Sequence, residues 1–97
     1  MQRAIPSRDV CVLRYVLERW AREKPHEVFV IFEDDETWTF QETLERVKRL
    51  GAALQSIGIK EGEHVIVWLP NGKECLEAYL ALGYIGAVFV PINVAYR

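Results

Sequence analysis

The chain has little of what usually marks a chemical site. Its two cysteines, Cys11 and Cys75, lie far apart and outside any Cys-x-x-Cys pair, which removes the spacing of a disulfide framework or zinc ribbon and leaves reduced, packed thiols as the expectation. His26 and His64 are isolated and lack HExxH spacing, so neither reads as a metal ligand. Charge of one sign is lacking too: 12 Lys and Arg face 14 Asp and Glu, for a net charge of −2 and a pI near 5.7. A nucleic-acid or anionic-membrane partner is therefore not expected. The amino-terminal MQRAIPSRDV has no apolar core of the kind a secretory signal needs. Together these absences lead to the expectation of a cytoplasmic location.

Catalytic signatures are equally sparse. No GxSxG surrounds Ser7 or Ser56, and glycines 51, 58, 62, 72, 83 and 86 never form a phosphate-cradling loop. The four lysines, Lys24, Lys48, Lys60 and Lys73, fall on expected helix surfaces, helix ends or turns, with no cradle around them. Four adjacent acids, Glu33 to Glu36, read as a solvated turn, because consecutive turn residues point in different directions. Trp20, Trp38 and Trp68 read as packing residues. No catalytic, cofactor-binding or metal-binding residue is assigned from the sequence. One long uncharged run, Ala78 to Tyr96, has the length of a membrane span, but Gly83, Gly86, Pro91 and Asn93 interrupt it, so no transmembrane segment is expected.

What is present is the balance of a globular α/β chain, 51% hydrophobic and 27% charged. In CVLRYVLERWAREKP, Val12, Leu13, Val16, Leu17 and Trp20 recur at helical spacing and Pro25 ends the run. A β-hairpin follows, Val28 to Phe32 and Thr37 to Thr39 flanking the acidic turn. Thr39 and Glu42 form the capping-box pattern of a second helix, whose apolar stripe is Leu44, Val47, Leu50, Leu54 and Ile57 and whose end is Gly58. His64 to Leu69 reads as a strand buried on both faces. Asn71 and Glu74 read as the start of a deeply buried third helix, and AVFVPIN as a second apolar strand. Residues 65 to 93 thus form a strand, helix, strand unit of a parallel sheet, with Gly86 at the helix-to-strand junction. Two parallel strands need cover on both faces, and this chain has too few helices to supply it. Self-association of the isolated chain is the corresponding expectation.

Trp38 to Arg97 resembles the amino-terminal region of the AMP-forming acyl-CoA synthetases, the adenylate-forming superfamily. The matching residues are Thr39, Phe40 and Glu42; Leu54, Gly58, Ile59 and Gly62; Pro70, Asn71 and Glu74; and Gly86, Ala87, Val90, Pro91, Ile92 and Asn93. Thr43, Glu63 and His64 depart from the usual pattern as conservative or surface-like changes. The resemblance implies that residues 1–97 are the amino-terminal portion of an AMP-binding (adenylation) domain, ending before its phosphate loop and carboxy-terminal domain. It further implies that the remainder of that domain is their partner. For a full-length relative it implies an ATP-dependent acid-thiol ligase using ATP, Mg²⁺, CoA and a carboxylic or fatty acid, with no catalytic residue inside this segment. Transfer of the acyl group to a carrier protein, and a free-standing α/β interaction module, are the alternatives.

Overall fold

The computed structural model describes residues 5–68 and 72–92, with side chains from residue 13 onward. Asn71, Pro70, Leu69 and Asn93 lie outside the described residues, as do the side chains of Ser7, Cys11 and Val12. Element order is α1 (Ile5–Glu23), β1 (Val28–Ile31), β2 (Thr37–Thr39), α2 (Phe40–Ser56), β3 (His64–Val67), α3 (Lys73–Tyr84) and β4 (Val88–Pro91). The strands form two separate pairs, an antiparallel β1–β2 hairpin and a parallel β3–β4 pair. This is the α/β arrangement expected.

α1 begins earlier than the apolar periodicity indicates, at Ile5. It packs on α2 and α3 along a narrow seam in which Leu17 and Ala21 are buried and Leu13 and Trp20 half-buried. Val16, expected on that face, is 47% exposed. It lies roughly a quarter-turn from the seam's centre, and a helix held by one line of contact leaves such a flank in water.

The hairpin closes through Phe32, whose amide donates to the Glu36 carbonyl at 2.8 Å, with Asp35 in the left-handed region at φ 71°. The capping box of α2 forms as read. The Glu42 amide donates to Thr39 Oγ1 at 3.1 Å, and the Thr39 amide donates to Glu42 Oε1 at 2.9 Å. The buried line of α2 is Thr43, Val47 and Gly51, four residues apart, while Leu44, Leu50 and Leu54 flank it half-buried. Ile57, expected in the stripe, is instead the C-cap and 74% exposed. By that point the chain has left the helical screw, so the periodicity no longer decides which way the side chain faces. Thr43, read as a surface-like change, is fully buried. Its hydroxyl donates to the Thr39 carbonyl at 2.8 Å, which removes the penalty of burying a polar group.

α3 starts at Lys73 with Gly72 as N-cap and no side-chain capping bond, one residue later than the Asn71 start expected. Leu80, Ala81 and Leu82 are buried, whereas Tyr79 is exposed, so the helix is deeply packed on its inner side only. Gly86 holds φ 84° at the α3–β4 junction, where the Gly62 amide donates to its carbonyl at 2.8 Å. The parallel register matches Val65 with Phe89 and Ile66 with Val90. Val65, Val67 and Phe89 pack against Leu82, Ile85 and Ala87. The opposite face of the pair is open: Ile66 is 67% exposed and Trp68 72%. Burial of β3 on both faces, and packing of Trp68, are therefore not found among the described residues, where α3 covers one side of the pair. Trp38, by contrast, is buried.

Replacing both Thr39 and Glu42 by Ala leaves two backbone amides of the first turn unpaired, and a loss of about 1–2 kcal/mol is expected, read as a lower urea midpoint with unchanged slope. Gly86→Val places a β-branched residue in the left-handed region. The expected result is a fall of at least about 4 °C in thermal midpoint, from a strain of about 1–2 kcal/mol in a domain of this size. An unchanged midpoint contradicts the positive φ.

Candidate functional site

The hairpin turn and the start of α3 meet in an open cleft of about 560 Å³ lined by Phe32, Glu33, Asp34, Gly72, Lys73 and Glu74. Lys73 Nζ stands 2.6 Å from Asp34 Oδ2 and 2.5 Å from Glu36 Oε1, and 5.5 Å from the centre of the Phe32 ring. The acids lie on an exposed turn, as read from the sequence, and two of them, Asp34 and Glu36, also pair with Lys73, a contact the sequence reading did not include. The turn brings Asp34 and Glu36 to one side because the Glu36 amide donates back to Asp34 Oδ1 at 3.0 Å. A lysine in the first turn of a helix is disfavoured by the helix dipole, and the two carboxylates offset that.

Glu36 extends the network. It accepts from the Trp38 indole at 3.3 Å and lies 3.9 Å from Arg46, which reaches Glu77 at 3.4 Å and lies 4.5 Å over the Trp38 ring. The hairpin, α2 and α3 are thus tied by one chain of alternating charges. A second link joins α1 to α3: Arg14 Nε donates to the Tyr84 carbonyl at 3.1 Å and lies over its ring, and Tyr84 Oη donates to Glu18 at 2.5 Å. Burial, and then the Glu18 hydrogen bond, push the Tyr84 phenol up to about 12.

These groups compensate one another, and among the described residues no base or nucleophile is poised in the cleft. His26 and His64 are exposed, Cys75 is a half-buried free thiol, and Ser56 Oγ donates to the Ala53 carbonyl at 2.6 Å. Among the described residues no cluster of three or more His, Cys, Asp or Glu could hold a metal ion, and no helix is long and apolar enough to cross a membrane. Nor does the cleft fit a nucleotide phosphate. The exposed α3 amino terminus is surrounded by Glu33, Asp34 and Glu74, and the one cation that the described residues place there is already neutralised. The Lys73 clamp joins residues 39 positions apart in sequence, and no local pattern announces it.

The clamp has a pH signature. Hydrogen bonding from Lys73, then from the Glu36 amide, holds Asp34 below its ordinary 3.8, and Lys73 and then the Trp38 indole hold Glu36 below 4.5. The same carboxylates raise Lys73 above 10.5. Depressed acids contribute stability above their unfolded values and lose it as pH falls through the folded ones; the raised lysine contributes below 10.5 and loses its share above. The expected outcome is a thermal midpoint that drops as pH falls from 4.5 through the region below 3.8, with a shallower drop in Lys73→Met. Equal slopes in the two proteins, measured by circular dichroism, contradict the clamp.

Comparison with known proteins sets this geometry in context. The family model described as AMP-binding enzyme matches residues 17–97. An indenyl-propanoyl:CoA ligase of Rhodococcus jostii is 40% identical over 80 residues, covering 82% of this chain and 15% of the relative. Acetyl-coenzyme A synthetase 1 of Candida albicans is 36% identical over 77 residues, covering 74% of this chain and 11% of the relative. The chain therefore spans less than a sixth of the length of either relative. Among solved structures, the Klebsiella oxytoca NpsA N-terminal subdomain superposes with a TM-score of 0.77 at 28% identity, covering 87% of this chain and 22% of that one. A fatty acyl-adenylate ligase from L. pneumophila gives 0.72 at 30% identity, covering 82% and 15%. With a family match over most of its length and a fold equal to the amino-terminal part of the adenylate-forming architecture, the chain belongs to the AMP-binding enzyme family.

Proposed function

We propose that residues 1–97 form the amino-terminal scaffold of an AMP-forming acid-thiol ligase, which joins a carboxylic acid to CoA at the expense of ATP. The observation that carries this is the family match over residues 17–97 together with two relatives named as a CoA ligase and an acetyl-coenzyme A synthetase. In such a reaction the acid carboxylate attacks the α-phosphorus of ATP, pyrophosphate leaves, and the thiolate then displaces AMP from the acyl-adenylate. On this reading ATP binds at groups outside the described residues, since Lys73, the cation that the described residues place in the cleft, is already paired with Asp34 and Glu36. The chain's own contribution is mechanical. The helix layer and the β3–β4 pair present an uncharged sheet face on which the remainder of an adenylation domain packs.

Two measurements test this. The free chain is expected to bind Mg-ATP no tighter than about 1 mM in calorimetry, a limit that corresponds to about 4 kcal/mol. A chimera in which residues 17–97 replace the matching segment of the Rhodococcus relative is expected to release pyrophosphate with its acid, and to form hydroxamate when hydroxylamine traps the acyl-adenylate. Tight ATP binding by the free chain, or a folded chimera without pyrophosphate release, contradicts the scaffold.

A further inference from the structure

We draw no further inference here: the strongest candidate, the Lys73 side chain held between Asp34 and Glu36 at the open cleft where the hairpin turn meets the start of α3, belongs to the site already described.

Discussion

The close approach of α2 to α3 is the constraint on which everything else rests. A β-carbon added to Gly51 would stand 3.0 Å from Ile85 Cγ2 and 3.8 Å from the Ala81 carbonyl oxygen. Ala81 supplies the matching small side chain on the facing helix. Val47, Leu80 and Leu17 fill the space beside that contact, and Leu13, Leu44, Leu50, Leu54, Leu76 and Tyr84 close round it. Each fully buried aliphatic side chain contributes about 1.5–3 kcal/mol. The same economy of space recurs where α1 crosses α3: a β-carbon on Gly83 would stand 2.5 Å from Leu13 Cδ2.

From this helix layer the sheets hang at either side. The β3–β4 pair rests on α3 through Leu82, Ile85 and Ala87. The hairpin rests on α2 through Trp38 and is secured to α3 by the Lys73 carboxylate pair. Phe40 stacks with Trp20 at 5.9 Å and meets Phe29 edge-on at 5.3 Å, so the end of α1 and the hairpin share one aromatic contact. Exposed ion pairs hold little energy singly. Their value here is directional, since each charge has an opposite neighbour from a different element. The same pairing leaves Lys73 no unpaired charge to offer a phosphate in the cleft.

The elements readable in advance were those whose signal is local. Thr39 and Glu42 lie three residues apart, so their capping box was visible in the sequence, as were the left-handed glycines Gly58 and Gly86 and the parallel pairing of two short apolar runs. What escaped notice depends on distance. Thr43 and Gly51 form the buried seam because of what α3 presents, not because of their own polarity or size. Ile66 and Trp68 have the composition of interior residues, yet exposure is set by what covers them, which composition does not encode. The third helix takes Gly72 as its N-cap with no side-chain capping bond, so no polar side chain marks its start in the sequence.

If the helix layer is the foundation, its backbone should be the last to open. Native-state hydrogen exchange by mass spectrometry or NMR reads this directly. The account predicts the slowest exchange at the α2 and α3 amides around Val47, Gly51 and Leu80 to Leu82, with β3 and β4 opening earlier. Slowest exchange in the β3–β4 pair, or no protection above the unfolded chain in α2 and α3, contradicts it.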